Sequence, residues 1–191
     1  MASAGVETEI KLPLTNAEDG RARIQRAGFQ IKTERLFESN TLYDTADLSL
    51  RAKGTLLRIR EVGDRWVLTF KGAPETEIKY KTRPEIELDV SDGLPLARIF
   101  LSLGYIPVFQ YQKYRTEYYR EGEPGILTLD ETPIGSFLEL EGPTRWIDRT
   151  ALLLGFSESS YITESYGRLY ADYCQRNNIS AANMVFGQAY S

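Results

Sequence analysis

Glu7, Glu9 and Lys11 occupy every second position of the stretch Val6-Glu7-Thr8-Glu9-Ile10-Lys11-Leu12. In an extended chain successive side chains point to opposite faces, so these three share one face while Val6, Ile10 and Leu12 share the other. At a rise of roughly 3.3 Å per residue the two carboxylates sit about 7 Å apart. Both can reach one cation, and the lysine beside them can reach an anion bound to that cation.

The same design recurs along the chain. Arg58 and Arg60 alternate with Leu57 and Ile59. Lys71 closes a run in which Trp66, Leu68 and Phe70 take the opposite face. Arg83, Glu85 and Glu87 oppose Ile86, Leu88 and Val90. Lys113, Arg115 and Glu117 oppose Tyr114, Thr116 and Tyr118. Asp130 ends another strand, and Glu139 and Glu141 oppose Leu138 and Leu140 on the last. Arginines and lysines converging from several strands suit phosphate, through bidentate and point-charge contacts. Glu7, Glu9, Glu139 and Glu141, with Asp130, suit magnesium or manganese. Cations and carboxylates gathered in one place describe a metal–polyphosphate site. Cross-strand ion pairs on a solvated sheet explain any one of these strands, but explain seven together poorly.

Composition narrows the chemistry. The 191 residues contain no histidine, which removes Ser-His and Cys-His nucleophiles and histidine-ligated metals. Cys174 is the only cysteine, so an internal disulfide and a cysteine-rich zinc site are excluded. Any metal must be a hard ion held by oxygens: magnesium, manganese or calcium. A net charge of −4 argues against a nucleic-acid binder that relies on a basic face. No apolar run approaches the ~18 residues of a membrane span, and the first residues lack the character of a signal peptide. The expectation is a cytoplasmic protein, a monomer or homodimer, without nucleic-acid or membrane partners.

The elements that must position these groups follow from pattern and punctuation. The first strand ends at Pro13. A helix capped at Thr15 or Asn16 runs to about Ala27, with Gly28 as its stop. Residues 30–43 read as extended, and Leu48 to Lys53 as a short helical turn. Strands 55–62 and 65–72 form a hairpin across Gly63-Asp64. Residues 73–82 form a lysine-bearing loop, followed by a strand over 83–90. Helices are expected over 94–103, 143–154 and 163–176, and strands over 108–120, 126–130 and 136–142. Without strand–helix–strand alternation the sheet is mainly antiparallel. Residues 1–177 make one domain, and 178–191 a loosely held tail.

Two geometries fit such strands. An open sheet can pack its apolar face on the helices and show its charged face to water. Alternatively, the sheet closes so that the charges line an interior, and about eight strands leave room for a small ligand. Enclosed charges are costly unless paired, or bound to metal and ligand.

The charged strands resemble, in order, those of the CYTH superfamily, the triphosphate tunnel metalloenzymes. Glu7, Glu9 and Lys11 match its E-x-E-x-K; Leu57 to Arg60 its L-R-x-R; Trp66 to Lys71 its L-T-x-K; and Arg83, Glu85 and Glu87 its R-x-E-x-E. Lys113-Tyr114-Arg115 resembles K-x-R, Asp130 with Glu139 and Glu141 the closing D and E-x-E, and Ser165-Tyr166 the S-Y near the C-terminus. The matches span roughly residues 7 to 170. The resemblance implies an α+β fold, with an eight-stranded antiparallel closed β-barrel, a polar tunnel and helices outside. It implies Mg2+ or Mn2+ at Glu7, Glu9, Asp130, Glu139 and Glu141. Lys11, Arg58, Arg60, Lys71, Arg83, Lys113 and Arg115 would grip a triphosphate-bearing small molecule, and Glu85 and Glu87 would orient the bases or assist a second metal. Some hydrolase members place a C-terminal lysine on the substrate; here the last helix offers Arg168.

Three activities fit. A hydrolase would cleave inorganic triphosphate, thiamine triphosphate or a nucleoside triphosphate, its water activated by a metal or a carboxylate. A class IV adenylyl cyclase would use the ribose 3′-hydroxyl as nucleophile, and Tyr80 to Glu87 looks rather like such members. A non-catalytic binding module for polyphosphate or nucleotide needs fewer carboxylates than this chain carries.

Overall fold

A computed structural model describes residues 2–75, 79–180 and 182–187. Eight antiparallel strands close into a barrel. In spatial order they are β1 (Ala2–Pro13), β5 (Lys81–Val90), β4 (Arg65–Lys71), β3 (Leu56–Val62), β2 (Gln30–Asp44), β6 (Ile106–Tyr119), β7 (Ile126–Thr132) and β8 (Gly135–Glu141), which pairs again with β1. Closure leaves no sheet edge, and it selects the second geometry: the charged faces point inward.

The outward faces explain why. Ile10 and Leu12 of β1, Leu127 and Leu129 of β7, and Leu138 and Leu140 of β8 are fully buried beneath α1 (Ala17–Arg26) and α4 (Thr144–Leu153), which contribute Ile24, Trp146, Ile147 and Ala151. Taking these side chains out of water supplies the main driving force for helices on this wall. The α1 helix starts where Asn16 accepts the Asp19 backbone N–H at 2.8 Å. It lies so close to the barrel that a Cβ on Gly20 would meet Leu14 Cδ1 at 2.6 Å and Leu129 Cδ1 at 3.0 Å. A second cluster joins Tyr43 and Ile59 to Phe100 of α3 (Gly93–Ser102). A short helix, α2 (Ser49–Ala52), follows β2, and Asp44 receives the backbone N–H groups of Leu50 and Arg51 at 2.8 and 2.9 Å.

The last helix, α5 (Tyr166–Asn177), packs Tyr166, Tyr170 and Cys174 against Tyr111, Phe137 and Met184. Met184 belongs to the segment expected to be a loose tail, and here the expectation fails. Residue 184 is fully buried and bridges to Tyr111 in parallel. The Gln112 N–H donates to the Met184 carbonyl at 2.8 Å, and the Met184 N–H to the Gln110 carbonyl at 2.9 Å. A single buried methionine with two backbone hydrogen bonds is enough to dock a chain without periodicity. Among the described residues, no helix is long and apolar enough to cross a membrane.

Candidate active site

The barrel interior holds a cavity of about 290 Å³, near the small end of the ~300–1,000 Å³ typical of ligand sites. Strand alternation sends into it Glu7, Glu9 and Lys11 from β1, Arg58 and Arg60 from β3, and Lys71 from β4. Arg83, Glu85 and Glu87 come from β5, Lys113 and Arg115 from β6, and Glu139 and Glu141 from β8. Thirteen of the residues expected from sequence therefore meet in one enclosure.

Cross-strand register decides who faces whom. Glu7 stands opposite Arg83, and Glu9 opposite Lys81 on one side and Glu141 on the other. The Lys71 ammonium donates to both Glu7 oxygens at 2.7 and 2.6 Å and stands 3.0 Å from Glu85 Oε1. Lys11 lies 3.4 Å from Glu9 and 3.3 Å from Glu139. Burial disfavours the Glu9 charge, but Lys11, Lys81 and Lys71 outweigh it and hold the carboxyl well below the usual range. The same balance holds for Glu139, where Lys11, Arg115 and Lys113 overcome burial. Lys11 is buried as well, and its two carboxylates keep it firmly protonated.

Two regions of opposite character result. On the β1–β8 side, Glu141 is exposed at its outer part and makes no ion pair or hydrogen bond among the described residues; partial desolvation at the cavity together with Glu7 and Glu139 pushes its carboxyl up to about 7. Negative charge is in excess there. Across the cavity positive charge is in excess. Arg58 donates from Nη1 to the Tyr111 hydroxyl at 3.0 Å and from Nη2 to Thr69 at 3.0 Å, and its Nη2 lies 3.3 Å from Glu87. Burial is outweighed by Tyr111 and Glu87, so Arg58 stays charged. Its Nε remains buried with no acceptor among the described residues, as does the Asn40 amide nitrogen. Buried donors without partners are rare in native structures and call for an acceptor.

Asp130 and Arg168 sit differently from what the resemblance implies. Asp130 is fully buried and does not line the cavity. Its oxygens accept from Lys113 at 2.9 Å, from Arg115 at 2.7 and 2.6 Å, and from the Tyr166 hydroxyl at 2.7 Å. It holds two cavity bases in place, with three donors on Oδ2 and one on Oδ1. Arg168 points away from the cavity; its guanidinium pairs with Asp172 one turn along the outside of α5, at 3.1 Å.

Other groups escaped the sequence reading: Lys81 lines the cavity, while Glu38 and Asn40 are buried behind its wall. Glu38 of β2 is buried 3.7 Å from Arg60 and 3.6 Å from Lys113, and Asn40 accepts from Arg60 Nε at 3.1 Å. Against the cost of burial, Arg60 and Lys113 hold Glu38 well below the usual carboxylate range. Lys81, expected in a loop, is the first residue of β5 and donates to Glu9 Oε1 at 2.7 Å. Alternation was the available signal in both cases: 38 and 40 share a face, and 81 is in phase with 83, 85 and 87.

A CYTH domain model matches residues 5–153. The chain belongs to the CYTH domain family. Among CYTH relatives, a candidate adenylate cyclase from Methanocaldococcus jannaschii is 29% identical over 136 residues, covering 71% of this chain and 76% of that protein. The solved structure of a candidate adenylate cyclase from Vibrio parahaemolyticus superposes with a TM-score of 0.75 at 22% identity, covering 88% of this chain and 99% of that one. A structure from Hippeastrum, described as a candidate adenylyl cyclase with a dominant triphosphatase activity, gives 0.63 at 20% identity, covering 88% and 95%. These likenesses establish the CYTH fold, a family tied broadly to triphosphate chemistry.

The donor set bears on whether a cation fits. Among the described residues, no three acidic side chains stand as a ready metal cage, because Glu7, Glu9 and Glu139 are drawn onto Lys71, Lys81, Lys11 and Arg115. Even so, Glu9 and Glu141 are direct cross-strand partners, with Glu139 two pairs along on the same face, opposite Lys11. The all-oxygen set and the unpaired Glu141 suit a hard divalent ion.

Proposed function

We propose that this chain is a metal-dependent triphosphate-processing enzyme, acting on inorganic triphosphate or an organic triphosphate as a hydrolase. One observation carries the reading. One barrel cavity sets an acidic seam, Glu7, Glu9, Glu139 and Glu141, beside a basic wall of Arg58, Arg60, Lys113 and Arg115, in which the buried Arg58 Nε has no acceptor among the described residues. A polyanion with its own cation meets both needs at once.

Glu7, Glu9, Glu139 and Glu141 would hold Mg2+ or Mn2+, which would supply charge neutralisation at the phosphate and an acidified water. Lys11, Lys71 and Arg83 lie nearest the seam and would take the phosphate closest to the cation. Arg58, Arg60, Lys113 and Arg115 would spread across the remaining oxygens, where charge develops as the phosphoanhydride breaks. Glu87 would keep Arg58 in place together with Thr69, which donates to Glu87 at 2.9 Å. Glu85, beside Lys71, would orient that lysine. Asp130 would position Lys113 and Arg115 without touching the cation.

The adenylate cyclase name carried by the curated relative supports a second reading, in which ATP yields cyclic AMP and pyrophosphate. One experiment separates the two. Purified protein is incubated with magnesium or manganese and, separately, with inorganic triphosphate, thiamine triphosphate or ATP, and the products are resolved by chromatography. Orthophosphate release, abolished by a chelator, is the expected result. Cyclic AMP with pyrophosphate would replace the hydrolase by the cyclase, and binding without turnover would leave only a sensor.

A further inference from the structure

Three cations converge on one oxygen of the cavity. Glu9 Oε1 lies 2.7 Å from Lys81 Nζ, 3.4 Å from Lys11 Nζ and 3.8 Å from Arg83 Nη2. Across the β1–β8 seam, the direct partner of Glu9 is Glu141, which has no base of its own among the described residues. Charge at this point is badly distributed: too many cations on one carboxylate, none on its neighbour. A bound cation between the two carboxylates and an anion over the lysines would correct both faults together.

Lys81 is built for such an exchange. Its side chain is 10% exposed, and its backbone is tethered by the two residues before it. The Tyr80 hydroxyl donates to Asp148 of α4 at 2.8 Å, and Lys79 bridges Asp148 at 2.9 Å and Glu158 at 2.5 Å. The strand therefore starts from a fixed point, while among the described residues the lysine tip is held only by Glu9. Lys11, by contrast, is shared between Glu9 and Glu139, and Arg83 between Glu7 and Glu9. Lys81 is the cation that a metal ion can displace with the loss of one contact.

We propose that Lys81 is an exchange lysine: its ammonium neutralises Glu9 in the ligand-free protein and moves to a phosphate oxygen when a divalent cation takes Glu9. This rests on the triphosphate reading above and deepens it. Metal binding and phosphate binding then become linked, because the ion that occupies Glu9 releases the lysine that grips the anion.

Two titrations test this without turnover. Mn2+ alone is titrated calorimetrically into wild type, Lys81→Met, Lys81→Gln and Lys81→Arg. A non-hydrolysable triphosphate analogue, imidotriphosphate, is titrated into the same proteins in saturating Mn2+. With the competing ammonium gone, Lys81→Met and Lys81→Gln are expected to bind Mn2+ about tenfold tighter and, with Mn2+ in place, the triphosphate analogue about tenfold weaker. Lys81→Arg, which keeps the charge, should stay near wild type in both. Thermal melting of each variant reports whether it is folded, and the two neutral variants back each other. Mn2+ affinity that is unchanged or weaker in the neutral variants overturns the exchange, as does unchanged affinity for the analogue. Wild type that binds neither Mn2+ nor the analogue would overturn the triphosphate reading itself, and the exchange with it.

Discussion

The Tyr166 hydroxyl donates to Asp130 Oδ2 at 2.7 Å, fastening the first turn of α5 to the barrel interior. The same oxygen already takes Lys113 and Arg115. Burial and the adjacent Asp130 charge both push the tyrosine hydroxyl up, so it remains a donor at any ordinary pH. Tyr166→Phe removes a hydrogen bond to a buried charge and should cost about 1.5–3 kcal/mol of stability by chemical denaturation. Asp130→Asn, which strands two bases, should cost about 3–5 kcal/mol. Equal stabilities for wild type and both variants would mean this contact does not hold the helix.

Glu7→Gln and Glu9→Gln keep the shape of the side chain and remove a ligand charge. Each should lower metal-dependent kcat by roughly 100-fold or more, with the circular dichroism spectrum unchanged. Full activity in either would remove that residue from the metal site.

Arg58→Ala removes a guanidinium that faces the cavity, the buried Tyr111 and Thr69, and the half-buried Glu87. The KM for triphosphate should rise by about tenfold, a loss of about 1.4 kcal/mol in binding. An unchanged KM would end its phosphate role.

A steric prediction serves as a fold control. A Cβ on Gly125 would meet the Trp146 ring at 2.3 Å, and the ring sits on the floor of the α4 packing with little room to shift. Gly125→Ala should destabilise by about 1–3 kcal/mol, while calorimetric Mn2+ affinity stays as in wild type. A variant as stable as wild type would show that the ring moves freely.

Acid should unpick the turn after β2. Burial raises the Asp44 carboxyl, but hydrogen bonds from the Leu50, Arg51 and Thr45 backbone overcome it and leave the group below the ordinary aspartate value. A depressed carboxyl stabilises the fold above its unfolded-state value, and that contribution is lost as the pH falls through the folded-state value. Asp44→Ala should therefore be about 1 kcal/mol less stable than wild type at neutral pH, with the gap closing in acid. Denaturation midpoints at several pH values decide it; a gap independent of pH would assign the loss to packing.

Alternation made most of the barrel legible. Glu7, Glu9 and Lys11, or Glu139 and Glu141, announce an inward face because each strand holds its phase from end to end. The β2 strand does not. Its register against β6 shifts between Ile31 and Thr33, again between Thr33 and Leu36, and once more near Leu42. Between Leu36 and Leu42 the register is unbroken and Glu38 and Asn40 share one face, but the shifts on either side leave the strand as a whole without one period to read. Lys81 was hidden by its neighbours, since loop composition precedes it. Arg168 shows the opposite error: its residue type suited phosphate, but the helical phase of α5 turns it outward. For Asp130, the sequence supplied a carboxylate but not the three residues that donate to it, because they come from β6 and α5.

The β1–β8 seam joins the first strand of the barrel to the last. A nascent chain that ends before Gly135 already carries the arginines and lysines of β3 to β6 but lacks Glu139 and Glu141. Such a fragment has a basic trough open along one side, with Glu9 missing the neighbour that will face it. Only the final hairpin supplies both the missing wall and the missing negative charge. Barrel closure and creation of the acidic seam are thus a single event.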